Sequence, residues 1–305
     1  MLSKVLYGVY AGIALKLMIH MHFIMQGPMN WGKICQGKFA LCGTGTEQSP
    51  IDIVMSDIEK TNDGFTDTIG WTIPSGEYAN YIKGGNGDLL EEFNGHAFEV
   101  SHIGATLQWG PKGEQATYKM KQFHMHTPSE HKVNGVHYDM EMHFVHVLDD
   151  ATDTEGWSWT PKKVIVVAQF FKSGVGMGTP FWVRQLSEAA PKLSGDAANV
   201  VPIDFASLAQ SVQVGSLPQS GPPNKNFRPN YENFFKYDGS FTTPPCTEGV
   251  QWVILKNPIF IEKADLNPIL ALQGENYRPV QPIGIRKLIS NIDKWDGVDI
   301  TMSHV

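Results

Sequence analysis

Histidines are concentrated in one short part of the sequence. The chain has eleven histidines in its 305 residues, and six of them lie between His124 and His146. Three stand at a spacing that suits metal binding: His124 and His126 in QFHMH, and His143 in MEMHFVH. Three neutral imidazoles with an open fourth position are typical of a catalytic zinc site, whereas structural zinc sites usually close with four protein ligands.

Two predicted strands must bring these histidines together. Residues 118–126 and 138–147 alternate apolar with polar side chains, which is typical of β-strands. Residues two apart on a strand share a face. His124 and His126 therefore point the same way, and His143 joins them if the two strands lie side by side. The three imidazoles then converge on one point.

Two polar residues share the histidine face. Gln122 stands two residues before His124, and Glu141 stands two residues before His143. A metal-bound histidine normally donates its other ring N–H to an amide, a carboxylate or a carbonyl, and this bond fixes the tautomer. We therefore expect Gln122 and Glu141 to hold the ligand histidines.

Three other histidines of this region are expected to be structural. His146 falls on the opposite face of the second strand. His131 and His137 fall in the segment that joins the two strands, a loop of about a dozen residues that also contains Asn134-Gly135. None of the three is therefore expected among the ligands.

The rest of the sequence predicts one α+β domain. Thirty glycines and nineteen prolines favour many short strands joined by turns. Further strands are predicted at residues 164–171 and 250–255, and helices at residues 179–190, 204–210 and 262–270. Strands dominate this pattern, so we expect a large, mostly antiparallel sheet.

The overall composition excludes several classes of protein. Apolar residues make up 42% and charged residues 18% of the chain, as in a globular protein with a full core. The net charge of −7 lacks the basic surface of a nucleic-acid-binding protein, so no nucleic-acid partner is expected. Three cysteines cannot form a disulfide framework, and no CxxC pair indicates a zinc ribbon.

Residues 1–27 form a separate hydrophobic segment before the domain predicted at residues 28–305. Within it, residues 5–25 contain Lys16 as their one certain charge and are long enough to span a hydrocarbon core of about 30 Å. Three interpretations stay open. The segment is a cleaved signal peptide with an apolar run at residues 5–15, a retained membrane anchor, or an ordinary helix of the folded domain.

Several sequence blocks resemble those of the α-class carbonic anhydrases. The signature blocks are QFHMHTPSEH (122–131), MEMHFVH (140–146) and GSFTTPPCTEGVQW (239–252), and further blocks are QSPIDI (48–53), NGHAFEV (94–100) and NYRPVQP (276–282). They occur in the family's order, and the resemblance covers about residues 30–289. The segments CGTGTEQSPIDI, HTPSEH and PPCTEG look closest to the plant, algal and bacterial extracytoplasmic members.

The resemblance implies a fold, a reaction and a cofactor. The fold is a single domain with a central twisted, mostly antiparallel sheet of about ten strands, short surface helices and Zn²⁺ at the bottom of a cone. The reaction is the reversible hydration of CO2 to bicarbonate and a proton, by a lyase that small anions and sulfonamides inhibit. The implied ligands are His124, His126 and His143, held by Gln122, Glu141 and the main chain of Asn276.

The resemblance also implies roles for residues around the metal. Thr242 would accept a hydrogen bond from zinc-bound hydroxide, donate its own proton to Glu130, and hold a bicarbonate or inhibitor oxygen by its main-chain N–H. Thr243 would line the substrate site. His96 would be the proton shuttle, with a solvated loop histidine as the alternative interpretation; an imidazole pKa near 6.5 suits proton export. The apolar wall for CO2 would comprise Val145, Val166, Val250 and Trp252.

Three residues depart from the family's pattern. Phe241 stands beside the substrate pocket where the family usually has leucine, so its ring is expected to crowd CO2 and slow turnover. Lys33 replaces a usual tyrosine near the cone mouth, and Glu99 replaces a smaller polar residue. Both are expected to disturb the ordered water that links zinc to His96.

The cysteines bear on the compartment. Cys42 and Cys246 fall where the extracytoplasmic members carry one disulfide, while Cys35–Cys42 is the competing intrachain pair. A Cys42–Cys246 bond implies an oxidising compartment, and thus a secreted, periplasmic or organelle-lumen protein, with a membrane anchor if residues 5–25 are retained. Cys35 is then left over, either free or paired between chains, which leaves a dimer open.

Two functions follow from these observations. The first is an active zinc carbonic anhydrase. The second is a carbonic-anhydrase-like domain with little activity, kept as a structural or binding subunit of a membrane assembly. Silent members generally lose a zinc histidine, and all three histidines are present here together with Glu130, Thr242 and His96. The sequence therefore favours the active enzyme.

Overall fold

The computed structural model describes ten ranges of the chain. These are residues 27–33, 37–60, 67–72, 90–93, 96–101, 104–193, 203–204, 207–208, 211–212 and 233–290. The hydrophobic segment 5–25 and Cys35 lie outside them, and the predicted helix at 204–210 lies partly outside. Among the described residues, no helix is long and apolar enough to cross a membrane.

Strands make up most of the secondary structure in these ranges. In chain order they are β1 (Asp52–Ile53), β2 (Glu59–Lys60), β3 (Asp67–Thr72), β4 (Leu90–Phe93), β5 (Phe98–Ser101), β6 (Thr106–Pro111), β7 (Ala116–His126), β8 (Lys132–Val133), β9 (Val136–His137), β10 (Met140–Leu148), β11 (Val164–Gly174), β12 (Phe234–Ser240), β13 (Glu248–Glu262) and β14 (Ile289–Ser290). The α-helices are α1 (Leu41–Thr44), α2 (Phe181–Ala189) and α3 (Lys263–Gln273), and 3₁₀ helices cover Pro28–Lys33, Met55–Asp57 and Ala190–Lys192.

One large curled sheet of eleven strands organises the molecule. Its order is β2-β14-β12-β13-β11-β10-β7-β5-β4, with β6 also pairing β7 and β3 pairing β6. Two pairings are parallel, β11 with β13 and β14 with β2, and the other neighbours run antiparallel. The predicted α+β class and mostly antiparallel sheet are confirmed.

The central strands are buried on both faces. Seven consecutive residues of β10 are buried, from Met140 to His146, and β11 (VIVVAQFFKSG) is buried from Ile165 to Phe171. Such continuous burial fits strands that lie in the middle of a sheet and are covered on both sides. The site histidines lie on β10 and on its neighbour β7, so this buried part of the sheet positions them.

The two faces of the sheet support different clusters. One face carries the larger core, in which Phe123, Met125 and Phe144 pack with helix α2 residues such as Trp182 and Leu186. The opposite face carries a smaller apolar cluster that lies beside the histidines, with Val145, Val166, Ala168, Phe170, Val250 and Trp252 among its members. Packing on both faces holds the histidine face in place.

A bulge in β7 sets which side chains face the histidine side. Val145 pairs with Gln122 and His146 pairs with Met120, so Lys121 has no partner on β10. The extra residue shifts the alternation of the strand. Tyr118 and Met120 are buried before the bulge, and Phe123 and Met125 are buried after it, so the residues from Gln122 onward keep the predicted alternation.

The segment between β7 and β10 differs from the expected loop. It forms the two short strands β8 and β9, joined by Asn134-Gly135. Both residues have positive φ, 49° and 81°, as the type I′ hairpin turn requires, and Asn-Gly is the preferred pair for that turn. The strands predicted at 118–126, 138–147, 164–171 and 250–255 and the helices at 179–190 and 262–270 are confirmed, with ends that differ by up to seven residues.

Candidate metal centre

Pairing between β7 and β10 brings the three histidines together. His124 lies directly opposite His143, and His126 lies opposite Glu141. The ring centroids of the three histidines are 4.7 to 5.2 Å apart. His126 and His143 are buried, and His124 is half-buried. The convergence predicted from strand alternation is present in the structure.

One nitrogen of each ring is held by the protein. Nδ1 of His124 lies 2.8 Å from Oε1 of Gln122, and Nδ1 of His126 lies 3.1 Å from the main-chain oxygen of Asn276. Nε2 of His143 lies 2.8 Å from Oε1 of Glu141. These contacts leave Nε2 of His124, Nε2 of His126 and Nδ1 of His143 to face one another.

The remaining nitrogens form a donor set that fits a metal. One nitrogen from each of the three rings lies within 4.8 Å of the others. Within the described residues, the buried Nε2 of His126 has no hydrogen-bond partner, which is costly for a polar atom that no ligand satisfies. Three imidazole nitrogens are typical ligands of zinc and neighbouring transition metals.

Burial keeps these histidines in the form that binds metals. Burial and the neighbouring rings of His126 and His143 lower the pKa of His124 well below its usual range. Burial also lowers the pKa of His126 to about 4 and lowers the pKa of His143. All three rings are therefore neutral at pH 7, and neutral imidazole is the ligating form.

Glu141 holds two histidines at once. Its Oε1 lies 2.8 Å from His143 and 2.6 Å from Nδ1 of His131, and its Oε2 accepts the main-chain N–H of His131 at 2.8 Å. Burial alone would raise the pKa of Glu141, but attraction and hydrogen bonding from His131 and His143 outweigh it and keep that pKa well below its usual range. The carboxylate is therefore ionised beside the metal ligand.

A buried chain of hydrogen bonds extends from Glu141 into the core. Nε2 of His131 lies 2.7 Å from the hydroxyl of Tyr237, which donates to Oγ of Ser49 at 2.8 Å. His131 is one of the histidines expected to be structural, and the sequence predicts no role for Tyr237 or Ser49. No local pattern marks these two residues, because the hydrogen bonds join parts of the sequence that are far apart. His131 and Tyr237 on β12 are separated by 106 positions, and Tyr237 and Ser49 by 188 positions.

Glu130 lies beside the converging nitrogens. Its Oε2 is 3.6 Å from Nε2 of His126 and 3.9 Å from Nδ1 of His143. Burial raises the pKa of Glu130 to about 7, while attraction to His143, hydrogen bonding by the Thr242 side chain and the N–H of Arg278 act in the opposite direction. A cation held by the histidines would favour the ionised carboxylate further.

The residues proposed to surround the substrate lie together. Val145, Val166, Val250 and Trp252 belong to one buried cluster, and the half-buried Phe241 packs against it. The Trp252 ring lies 4.7 Å from the ring of His143. Thr242 is buried and Thr243 is half-buried in the turn that follows Phe241. An apolar surface therefore adjoins the candidate metal site.

His96 and Glu99 adjoin the histidines, and Lys33 is exposed. The His96 ring lies 5.9 Å from that of His126, and its main-chain oxygen accepts a hydrogen bond from the Asn276 amide at 2.7 Å. Glu99 on β5 pairs with His124 on β7, and Oε2 of Glu99 lies 3.5 Å from Nε2 of Gln122. Lys33 is exposed at the end of the first 3₁₀ helix.

A disulfide joins the N-terminal segment to the loop after Thr242. Cys42 and Cys246 are bonded, with their Cα atoms 5.1 Å apart. Both are buried against Trp31, with Phe39 alongside. The competing Cys35–Cys42 pair is therefore wrong, because Cys42 is already bonded to a residue 204 positions away.

Comparison with known proteins identifies the family. The family model described as eukaryotic-type carbonic anhydrase matches residues 26–292. A carbonic anhydrase from Neisseria gonorrhoeae is 30% identical over 276 residues, which cover 88% of each protein. One from a Nostoc species is 27% identical over 272 residues, covering 87% of this chain and 83% of the relative.

A solved structure has the same fold. The α-carbonic anhydrase from Thermovibrio ammonificans, in complex with the inhibitor sulfanilamide, superposes with a TM-score of 0.62 at 28% identity, covering 86% of this chain and 95% of that one. Fold, histidine site and sequence matches agree that this is a metalloenzyme of the class that hydrates CO2. The chain belongs to the eukaryotic-type, or α-class, carbonic anhydrase family.

Proposed function

We propose that the chain binds Zn²⁺ through His124, His126 and His143 and catalyses the reversible hydration of CO2 to bicarbonate and a proton. The observation that carries this proposal is the arrangement of the three rings. Each is neutral, each has one nitrogen held by a protein acceptor, and the other nitrogens face one another. Three protein ligands leave a fourth position open for chemistry.

The donor set suits zinc rather than the hard cations. Magnesium and calcium prefer oxygen ligands, whereas imidazole nitrogens suit zinc. When bound, zinc acts as a Lewis acid that lowers the pKa of water to about 7, a figure known from carbonic anhydrases themselves, so that hydroxide is available at neutral pH. Glu141 and Gln122 fix the ring tautomers that leave a lone pair for the metal.

Thr242 and Glu130 orient the nucleophile. A carboxylate accepts hydrogen bonds but cannot donate them, so the Thr242 hydroxyl donates to Glu130. Its oxygen would then be left to accept a hydrogen bond from the hydroxide that a bound metal would supply. Thr242 would thereby orient this nucleophile toward the carbon of CO2.

The apolar cluster receives the substrate. CO2 is uncharged and apolar, so it gains from contact with Val145, Val166, Val250 and Trp252, as apolar groups do on leaving water. Bicarbonate is charged and polar, so the same surface favours its release. The ring of Phe241 packs against this cluster.

The proton leaves through His96 in this proposal. Its ring lies 5.9 Å from the ring of His126. An imidazole with a pKa near neutrality both accepts and releases protons at physiological pH. His96→Ala should slow turnover in dilute buffer, and added imidazole buffer should restore it. An unchanged rate in dilute buffer would place the shuttle elsewhere.

Inhibitors are expected to bind at the same site. The Thermovibrio relative was solved with sulfanilamide, and we expect sulfonamides and small anions to bind here at the open metal position.

The Cys42–Cys246 disulfide supports an extracytoplasmic location, since such bonds persist in oxidising compartments. Association with a membrane through residues 5–25 and a dimer through Cys35 stay proposals, testable by fractionation and by non-reducing electrophoresis.

The metal and the activity should be measured on the same purified sample. We expect one zinc per chain and rapid CO2 hydration in the wild-type protein. His143→Ala should lose most of the metal and the activity, while His137→Ala, outside the donor set, should keep both. A stoichiometric zinc content and a near-normal rate in His143→Ala would refute the site, and a zinc-loaded wild-type protein without activity would favour the binding-subunit alternative.

A further inference from the structure

The three ligand histidines are held by acceptors of different kinds. His143 is held by the Glu141 carboxylate and His126 by the main-chain oxygen of Asn276, and neither group can donate a hydrogen bond. His124 is held by the Gln122 amide, which has an acceptor oxygen and a donor nitrogen. His124 is therefore the one ligand of the three whose partner has two chemically different orientations.

The second end of the Gln122 amide contacts a carboxylate. Nε2 of Gln122 lies 3.5 Å from Oε2 of Glu99, while Oε1 of the same amide lies 2.8 Å from Nδ1 of His124. The contact is built into the sheet, because Glu99 pairs with His124 and Ser101 pairs with Gln122 across β5 and β7. Glu99 is the residue that departs from the family's smaller polar side chain.

The carboxylate permits one orientation of the amide. If the amide turned over, its oxygen would face the Glu99 carboxylate and its NH2 group would face Nδ1 of His124. The first contact would be repulsive, and the second would require Nδ1 to be an acceptor, which moves the ring proton to Nε2. In that tautomer Nε2 carries a hydrogen and has no lone pair for a metal.

We propose that Glu99 is a positioning residue for the metal site. It holds the Gln122 amide with its oxygen toward His124, and so keeps the ring proton on Nδ1 and the metal-binding lone pair on Nε2. The inference rests on the proposed zinc site and deepens it, since it concerns how one ligand is prepared. His124 is half-buried, whereas the other two ligands are at most 1% exposed. Water can therefore compete for the Gln122 amide, and His124 depends most on a group that holds this amide.

Two substitutions remove the carboxylate in different ways. The amide of Glu99→Gln can either accept from or donate to the Gln122 amide and so permits both of its orientations, whereas Glu99→Leu keeps neither acceptor nor donor. We expect Glu99→Leu to lose zinc about 10-fold faster to a chelator such as dipicolinate, the lower end of the effect known for residues that orient metal ligands. Glu99→Gln should also lose zinc faster than wild type, because its amide no longer excludes the turned orientation of Gln122. Glu155→Leu, in an exposed loop, is the control and should match wild type.

A second readout reports the tautomer directly. In ¹⁵N-labelled metal-free protein, the imidazole shifts of His124 distinguish a proton on Nδ1 from one on Nε2. Wild type should show Nδ1–H, and Glu99→Gln and Glu99→Leu should each show a mixture. Circular dichroism and melting of each variant identify any that fail to fold, and in that case the Gln variant alone carries the comparison with wild type.

A double-mutant cycle tests the route of the effect. In a Gln122→Leu background there is no amide to orient, so adding Glu99→Leu should change the zinc loss rate no further. The inference is overturned if either Glu99 variant matches wild type in both readouts, or if the effect persists without Gln122. His124→Ala distinguishes this from failure of the metal site: zinc retained in that variant would refute the proposed ligand itself.

Discussion

The main-chain N–H of Arg278 donates a hydrogen bond to Oε1 of Glu130 at 2.8 Å, while the Arg278 guanidinium donates to the main-chain oxygen of Cys42. The same guanidinium donates to the side chain of Gln48 and to the main-chain oxygen of Ser49. One buried residue therefore links the carboxylate beside the histidines to the N-terminal segment that the disulfide anchors.

Replacing this guanidinium should lower the free energy of unfolding and leave the CO2 hydration rate of the folded protein nearly unchanged. Arg278→Lys keeps the positive charge and the main-chain N–H to Glu130 but cannot reproduce the planar fork of donors. We expect a loss of about 3 kcal/mol in the free energy of unfolding, since buried acceptors lose charged hydrogen bonds. Urea denaturation and CO2 hydration on the same samples measure both effects.

Arg286→Lys is the matched control for Arg278→Lys. Arg286 is only partly buried, and three main-chain oxygens accept from its guanidinium, so the smaller loss is expected there. A large fall in the CO2 hydration rate of folded Arg278→Lys would show that the guanidinium, and not only the main-chain N–H of Arg278, positions Glu130.

The disulfide should contribute stability through the unfolded chain. Cys42 and Cys246 are 204 residues apart, and closing so long a loop is worth about 5 kcal/mol at most in the chain-entropy model. Cys42→Ser and Cys246→Ser should each lose a similar amount, and the double variant should lose no more than a single one, because all three remove one bond. Cys35→Ser should be neutral.

Non-reducing peptide mapping checks the bond itself. Protein purified with thiol exchange blocked should yield a peptide that joins Cys42 to Cys246. Recovery of both as free thiols would remove the bond, and with it the main argument for an oxidising compartment.

His146 should make stability depend on pH. It is buried on the core side of β10, where Nε2 accepts a hydrogen bond from Trp71, and burial lowers its pKa to about 3. The unfolded chain takes up this proton near pH 6.5 and the folded chain only near pH 3. Stability from this residue is therefore present above pH 6.5 and lost as the pH falls toward 3, with a slope of up to about 1.4 kcal/mol per pH unit.

The slope can be assigned by substitution. His146→Gln keeps an acceptor for Trp71 and does not titrate, so its unfolding free energy should fall less steeply between pH 6 and pH 4, in urea titrations at each pH. His137→Gln should change the slope less. That ring is only half-buried, so burial lowers its pKa less than it lowers the pKa of His146. Identical slopes in wild type and His146→Gln would contradict the assignment.

Local periodicity explains which parts of the site the sequence could predict. Gln122, His124 and His126 share a face because side chains alternate along any strand, and this rule needs only neighbouring residues. The bulge at Lys121 lies just before them and leaves the alternation after it intact. A bulge four residues later, between His124 and His126, would have turned these two histidines to opposite faces.

Contacts across the sheet explain what it could not predict. His131 reaches Tyr237 on β12, and Glu130 receives the N–H of Arg278, over separations of 106 and 148 residues. No pattern within either segment indicates its partner. Thr242, Glu130 and His96 were identified through the family's sequence blocks rather than from spacing, since a strand pattern does not mark a residue in a turn.

Phe241 provides the sharpest test of the substrate pocket. Its main chain is held on both sides, because its N–H donates to the oxygen of Thr247 at 3.0 Å and its oxygen accepts from the Ser240 hydroxyl at 2.8 Å. A substitution therefore changes the side chain and leaves the turn that carries Thr242 in place. The ring packs against the cluster that contains Val145, Val250 and Trp252, where CO2 is proposed to bind.

Phe241→Leu should raise kcat/KM for CO2 hydration and leave the zinc content unchanged. Leucine is smaller than phenylalanine and equally apolar, so CO2 gains space near the hydroxide without a change in the polarity of the wall. Since the ring is half-buried, the cavity it leaves should cost only about 1 kcal/mol of stability. Phe181→Leu, on the exposed start of α2, controls for loss of a ring and should leave kcat/KM at the wild-type value. An equal or lower kcat/KM in Phe241→Leu would show that the pocket is already shaped around the ring and that the ring does not crowd CO2.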